Sequence, residues 1–254
     1  MDNSFFVNHL TIGNGRVNRM DNGYSLTIGV CTAQGYHDAQ ITDYTPGALP
    51  RNYQFRPPLR LHLRAWYSHP AEQLRGTAGF GFWNQPILPS ARSLRLPRAL
   101  WFFFGSLPNN MALAKDVAGH GWKAATFDAQ RWPFFALAPL APLGFALMRI
   151  STLYRRLWPI GQRAIGVSET ALTFDLTQPH DYIIDWQLSH ADFYVDGSLV
   201  HHARQVPRVP LGFIAWIDNQ YAVVTPQGRF GFGRLALEHD QSLFIEDLRI
   251  QPEE

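Results

Sequence analysis

Apolar and polar positions alternate along much of the chain, and this period of two predicts β-strands whose faces differ in polarity. Residues 23–30 and 59–66 show it, and residues 180–186, 191–195, 198–202, 211–217 and 242–250 are predicted as further strands. Asp196-Gly197 separates two of them and is a dipeptide typical of a type I′ hairpin turn. Because the strands are short and divided by Gly and Pro, we predict one all-β domain over residues 1–254, built as a two-sheet sandwich.

Residues 133–148 depart from this pattern, because they contain no charged or hydrogen-bonding side chain and are flanked by Trp and Arg. The run is shorter than the ~20 residues of a membrane-spanning helix. We predict a helix that starts near Pro142 and ends before Pro159, inside a helical or irregular apolar insertion over residues 107–165. Three placements stay open: packed on the sandwich, covering a groove, or touching a membrane surface through residues 133–158.

Residues 98–106, RALWFFFGS, predict a buried strand with four consecutive aromatic rings. Alternation sends half of these rings to each face of the strand. We expect one half in the core, and Trp101 and Phe103 on the open side of the sheet.

Composition narrows the classes of partner. The apolar fraction of 46% and the charged fraction of 17% are those of a globular protein, and the aromatic fraction of 14% is high. A net charge of +2 without a basic run argues against a nucleic-acid partner.

Cys31 is the single cysteine, and no zinc or iron motif is present, so we expect no metal and no cofactor, with a structural calcium left open. The first residues lack the features of a signal peptide, so we expect a cytoplasmic protein, peripheral to a membrane if residues 133–158 contact one.

Five segments occur in a recognisable order: YHDAQI at 36–41, LHLRA at 61–65, GTAGFGFWN at 76–84, HDYIIDW at 180–186 and FYVDG at 193–197. This order resembles the concanavalin A-like lectin/glucanase superfamily, most closely the family-16 glycoside hydrolases. The resemblance covers roughly residues 15–106 and 166–250. It implies a jelly-roll sandwich with a concave sheet that carries the ligand site.

The chain departs from that family where its catalytic acids would lie. The family's retaining hydrolysis uses two carboxylates about 5–5.5 Å apart, supplied by a Glu-x-Asp-x-x-Glu strand. The corresponding strand here is residues 98–106, which contains no Asp or Glu. No catalytic residue is therefore carried over, and we expect no hydrolysis of β-glucans, agar or carrageenan by the family's mechanism.

Two polar clusters are candidates for acid/base chemistry. Asp218 follows an apolar strand, and a carboxylate among aromatic rings has its neutral form favoured by desolvation; its alternative role is to cap the turn at residues 219–220. His120, Lys123 and Asp128 are expected to line one end of the groove, or else to belong to a loop that anchors the insertion. The candidate ligand-binding residues, as stacking rings or polar contacts, are Trp83, Asn84, Trp101, Phe103, Trp216, Gln220 and Tyr221.

Three functions stay open. The one we favour at this point is binding of an apolar small molecule in an aromatic groove covered by residues 133–158, with conversion of a cyclase, isomerase or lyase type. The second is a carbohydrate-binding, lectin-like protein or an atypical glycoside hydrolase. The third is a scaffold attached to a membrane or a partner through residues 133–158.

Overall fold

A computed structural model describes residues 7–45, 52–85 and 96–252. Within these residues the chain forms two large antiparallel sheets packed face to face, which confirms the predicted all-β sandwich. In spatial order, sheet A contains β1 (Asn8–Ile12), β4 (Asp38–Thr42), β13 (Gly212–Asp218), β6 (Thr77–Trp83), β7 (Arg98–Gly105), β8 (Gly121–Asp128) and β9 (Ser168–Leu172).

Sheet B contains, again in spatial order, β12 (Ser198–Ala203), β11 (Ala191–Val195), β10 (His180–Trp186), β5 (Leu59–Tyr67), β16 (Gln241–Pro252), β3 (Gly23–Ile28) and β2 (Arg16–Met20). A separate hairpin, β14 (Gln220–Val224) and β15 (Phe230–Arg234), leaves sheet A directly after β13.

The core lies between the sheets and is formed by the side chains that alternation points inward. In β5 every second residue from Leu59 to Tyr67 is buried, while the residues between them face outward. Removing each large ring from water stabilises the fold by about 1.5–3 kcal/mol. The large rings that sheet A contributes to this core are Phe80, Phe82, Phe102, Phe104 and Trp122.

The turn between β11 and β12 has the conformation that its sequence predicts. Asp196 and Gly197 both have positive φ, at 49° and 76°, as a type I′ turn requires. The Asp196 carboxylate also accepts a hydrogen bond from the backbone N–H of Asp181 on β10, at 2.9 Å. The residue therefore fixes the hairpin to the neighbouring strand.

The predicted excursion over residues 107–165 is wrong in part, because β8 lies inside it and forms a strand of sheet A between β7 and β9. Apolar and polar residues do not alternate in its sequence, GWKAATFD. Its charged residue Lys123 is buried on the outer face of the sheet. The helical part is confined to α1 (Trp132–Leu137), a 3₁₀ turn (Ala138–Leu140), α2 (Ala141–Leu147) and α3 (Ser151–Ala164).

The predicted end of the helix before Pro159 is also wrong, because Pro159 lies within α3. Trp158, the preceding residue, is buried and donates from its indole nitrogen to the Leu113 carbonyl at 2.9 Å. Tertiary packing thus holds the helix through a residue that would otherwise interrupt it. Among the described residues, the helices are too short or too polar to cross a membrane.

Candidate functional site on the outer face of sheet A

Sheet A has an outer face, directed away from the core, whose centre consists of aromatic rings. Trp101 and Phe103 of β7 point to this face, while Phe102 and Phe104 point into the core. Trp216 lies beside them, with ring centroids 5.3 Å from Trp101 and 6.1 Å from Phe103. Trp83 extends the group and is stacked parallel to Trp216 at 6.5 Å. We call Trp83, Trp101, Phe103 and Trp216 the aromatic cluster.

Two glycines of β6 make room for these rings. Gly79 pairs with Trp216 on one side and Phe103 on the other, and a Cβ at this position would lie 2.9 Å from the Trp216 ring. Gly81 lies opposite Trp101, and its Cβ would lie 2.8 Å from that residue's Cβ. The GFGFW pattern therefore alternates core phenylalanines with positions that must stay free of side chains.

A pair of carboxyl groups borders the aromatic cluster. Asp38 on β4 and Asp218 on β13 are directly opposed partners in the antiparallel ladder, and both are buried. Opposed residues of such a ladder have Cα atoms about 4.5–5.5 Å apart. The two groups therefore lie on the same face, next to Trp216.

Burial raises the pKa of both carboxyl groups, to about 6 for Asp218 and well above its usual range for Asp38. The Asp218 charge raises the pKa of Asp38 further. Tyr36 covers the pair, and its hydroxyl donates a hydrogen bond to Asp38. The Oδ1 atom of Asp38 is buried and has no hydrogen-bond partner within the described part of the chain.

Asp218 is fixed by backbone and side-chain donors. Its Oδ1 accepts from the Thr77 hydroxyl at 2.9 Å and the Thr77 N–H at 3.2 Å, and from the Gln220 N–H at 2.9 Å. The Thr77 hydroxyl in turn accepts from the indole nitrogen of Trp216 at 3.0 Å. The carboxyl group is thereby tied to the ring beside it, and it caps the turn that leads into β14.

A buried ion pair lies at the other edge of this face. Lys123 of β8 is 3.4 Å from Glu169 of β9, and its side chain is only 1% exposed. Burial lowers the pKa of Lys123 and raises that of Glu169, while each charge partly counteracts the shift of the other. Glu169 lies within β9.

The structure does not bring His120, Lys123 and Asp128 together. His120 is exposed in the loop before β8, and Lys123 is buried on the outer face. Asp128 lies five residues beyond Lys123, about 16 Å along a strand, and is paired with Arg98 at 2.7 Å. Its side chain belongs to the opposite face of β8, so this predicted triad is wrong as a unit.

Other candidates have structural roles. Asn84 is buried and holds the 96–98 segment, since its side chain donates to the Leu96 carbonyl and accepts from the Arg98 N–H. Gln220 and Tyr221 lie in β14, which has left sheet A. Gln220 lines a cleft of 320 Å³ with Phe232 and Arg234 at that hairpin, away from the aromatic cluster.

Residues 133–158 were expected to cover the groove, and the structure places them elsewhere. In the described part of the chain, Met111 and Phe127 pack against the aromatic cluster from outside. The helical segment instead contacts the β14–β15 hairpin, through Phe145 and Phe230 with ring centroids 5.7 Å apart. The apolar side chains of the segment remain largely exposed.

Sequence reasoning did not identify Asp38, Gln40 or Tyr36 as site residues, although YHDAQI was noted as a marker of the fold. The sequence of β4, DAQIT, alternates polar and apolar residues and so places Asp38 and Gln40 on one face, but all five residues are buried, which the alternation does not indicate. Gln40 lies opposite Trp216. The described ranges hold no group of three or more His, Cys, Asp or Glu side chains arranged for a metal ion.

These elements define the protein's class at the level of fold: a two-sheet antiparallel β-sandwich. It aligns with a solved structure of endo-acting O-glycanases that human gut microbiota express to initiate mucin breakdown. The TM-score is 0.50 and the identity 11%, over 99% of this chain and 94% of that one.

Two further structures are less similar. The Crh5 transglycosylase in complex with NAG has a TM-score of 0.48 at 12% identity, over 96% of this chain and 78% of that one. The binding domain of botulinum neurotoxin DC in complex with SialylT has a TM-score of 0.45 at 7% identity, over 99% of this chain and 44% of that one. No protein-family model matches the sequence, and the search of curated proteins gives no match.

Proposed function

We propose that the protein binds carbohydrate on the outer face of sheet A, with a sugar ring against Trp83, the partly exposed member of the aromatic cluster, and its hydroxyl groups directed toward Asp38 and Asp218. The observation that carries this proposal is the presence of stacked indoles and paired carboxyl groups in adjacent rows of one sheet face. Aromatic rings stack on the C–H faces of sugars, and carboxyl oxygens accept hydrogen bonds from hydroxyl groups.

Two points favour a sugar over a wholly apolar ligand. The face contains more polar groups than the sequence indicated, since Gln40 and Asp38 join Asp218 beside Trp216. The fold shared with an endo-acting O-glycanase supports the same choice and makes mucin-type O-glycans the first ligands to test. We still expect no hydrolysis by the family-16 arrangement, because β7 carries no carboxylate.

Binding is tested by titrating the protein with mucin-type O-glycans and β-linked glucan and galactan oligosaccharides in a calorimeter. Trp83→Ala is the informative variant, because Trp83 is partly exposed at the rim of the cluster. Trp66→Ala is its matched control, since Trp66 is a partly exposed tryptophan on the outer face of sheet B. We expect about ten-fold weaker binding for Trp83→Ala, or about 1.4 kcal/mol, and unchanged binding for Trp66→Ala. Absence of binding to the whole panel, or equal loss in both variants, would contradict the proposal.

A second candidate function is acid/base conversion of the bound molecule, whether a glycan or the apolar compound that the aromatic cluster also suits. It is favoured by the opposed carboxyl groups, because burial raises the pKa of both, to about 6 for Asp218, and two such groups on one face can supply an acid and a base. Asp218→Asn should then abolish turnover while leaving the fold intact. Mass spectrometry of co-purifying material and of incubation products distinguishes the ligand classes and detects turnover.

A further inference from the structure

The helical segment and the β14–β15 hairpin together expose a continuous apolar surface. Neither α1 nor α2 buries a single residue. The side chains that form this surface are Trp132, Phe135, Leu140, Leu143, Phe230 and Phe232, each between 55% and 77% exposed. We call these six side chains the apolar surface; exposed patches of large apolar groups mark sites of interaction.

The helices and the hairpin act as one surface because they are packed together. The Phe145 ring contacts the Phe230 ring at 5.7 Å between centroids. Gly228, in the turn of the hairpin, is so close that a Cβ there would lie 2.9 Å from Phe145. Leu140, at the N-cap of α2, and Leu143 within it are three residues apart and so lie on one side of the helix.

The helical segment itself carries charge of one sign. Residues 129–168 contain five arginines and no Asp or Glu. Arg149, Arg155 and Arg156 are exposed, and within the described ranges they form no ion pair. Arg229 and Arg234 add two exposed cations on the hairpin. Apolar groups bordered by arginine and tryptophan are the composition of elements that lie in the interfacial layer of a bilayer.

A cleft between the helices and the hairpin fits a phosphate group. It has a volume of 620 Å³, and the described residues that line it are Asn110, Arg149, Thr225, Gln227 and Arg229. Two guanidinium groups with neutral hydroxyl and amide neighbours, and no carboxylate among these residues, complement a phosphodiester.

We propose that the apolar surface docks on an anionic phospholipid bilayer, with Arg149 and Arg229 binding a lipid phosphate in this cleft. The apolar side chains enter the interfacial layer, and the arginines around them interact with anionic headgroups, at about 1 kcal/mol for each cation close to the surface. The helices lie on the membrane and do not cross it, in keeping with their length. This inference is independent of the proposed carbohydrate site.

The test is co-sedimentation of the full chain with vesicles of phosphatidylcholine alone and of phosphatidylcholine with 30% phosphatidylglycerol, at ~0.1 M and ~0.5 M NaCl. We expect binding to the anionic vesicles at low salt, at least ten-fold above that to the neutral ones, and a marked loss at high salt. Leu140→Ser/Leu143→Ser and Arg149→Gln/Arg229→Gln should each lower the partition at least five-fold. The altered side chains are exposed, so circular dichroism should show the fold unchanged.

Leu188→Ser/Leu199→Ser is the matched control, because both leucines are more than half exposed and lie near β10–β12 of sheet B. It should bind like the unmodified protein. Equal binding to neutral and anionic vesicles, or equal loss in the control, would overturn the proposal. A dimer in light scattering that Leu140→Ser/Leu143→Ser converts to a monomer, without vesicle binding, would overturn it in favour of a second copy of the chain as the occupant.

Discussion

Asp38 and Asp218 are opposed across β4 and β13, and each is buried on a face whose neighbouring side chains are aromatic. Their separation by one inter-strand distance explains why the charge of Asp218 raises the pKa of Asp38. Because the two groups are buried and close together, ionising both costs free energy. The stability of the fold should therefore depend on pH.

Asp218→Asn should change how stability depends on pH. Since burial raises the Asp218 pKa from 3.8 to about 6, the folded chain holds this proton between about pH 4 and 6 while the unfolded chain has lost it. The contribution of the group to stability is therefore present below pH 4 and is lost as the pH rises through 6. Relative to the unmodified protein, the Asn variant should gain on the order of 2–3 kcal/mol between pH 4 and 7.

The measurement is the free energy of unfolding by urea across this pH range, compared between Asp218→Asn and the unmodified protein at each pH. The difference is needed because burial lowers the pKa of His201 to about 4, and its contribution has the opposite slope between pH 4 and 6.5. Asp116→Asn is the control, since the Asp116 side chain is 85% exposed. A constant difference between Asp218→Asn and the unmodified protein across the range would disprove the shifted pKa.

Lys123→Met should destabilise the fold by about 3–5 kcal/mol, because it leaves the Glu169 carboxylate buried without its cation. Replacing both partners, as Lys123→Met/Glu169→Leu, should restore most of that loss. Chemical denaturation of the single and double variants measures the coupling. The exposed pair Arg16–Asp240 is the comparison, and its removal should cost less than ~1 kcal/mol. A double variant as unstable as the sum of the single ones would show that the pair is not coupled.

Asn219→Leu should destabilise the protein by more than about 3 kcal/mol. The Asn219 side chain is fully buried; it accepts from the His37 N–H and donates to the carbonyls of Gly35 and Leu235, all at 3.0 Å. Each buried group left without a partner costs about 1–3 kcal/mol. Asn18→Leu, at an exposed position of β2, should have little effect. Thermal unfolding that shifts equally in both variants would contradict the expected result.

Gly79→Ala should displace the aromatic cluster. The added Cβ would lie 2.2 Å from the Phe102 carbonyl oxygen and 2.9 Å from the Trp216 ring, and overpacking of this kind costs about 1–3 kcal/mol. The near-ultraviolet circular dichroism of the stacked indoles should weaken, together with any carbohydrate affinity. Gly231→Ala is the matched control, since its Cβ would meet Val223 at an ordinary 3.6 Å. An unchanged spectrum for Gly79→Ala would mean that the rings do not depend on this glycine.

The sequence correctly predicted strands with one buried and one exposed face, such as β5 and β10, and the apolar strands β7 and β13. It did not predict β4 and β8, where polar residues such as Asp38 and Lys123 are buried on the outer face. Asp218 was found because its strand is otherwise apolar. Asp38 and Glu169 were not, since their roles arise from partners 180 and 46 positions away, respectively, in the chain.

The helical segment was recognised from its lack of polar groups, but its position was not. An uncharged segment has the same sequence pattern whether it packs over a groove or lies exposed beside a hairpin. Only the contact between Phe145 and Phe230 distinguishes these placements, and no local feature of the sequence indicates it.

The hydrogen bonds of Asn219 join three pieces of chain: the loop at residues 35–37, the end of β13, and Leu235 after β15. Tyr36, which covers Asp38, lies in the first of these pieces and the hairpin lies between the other two. Because the same side chain holds both pieces, we expect their amide hydrogens to exchange with solvent as one cooperative unit. A fluctuation of the hairpin would therefore expose the carboxyl pair at the same moment.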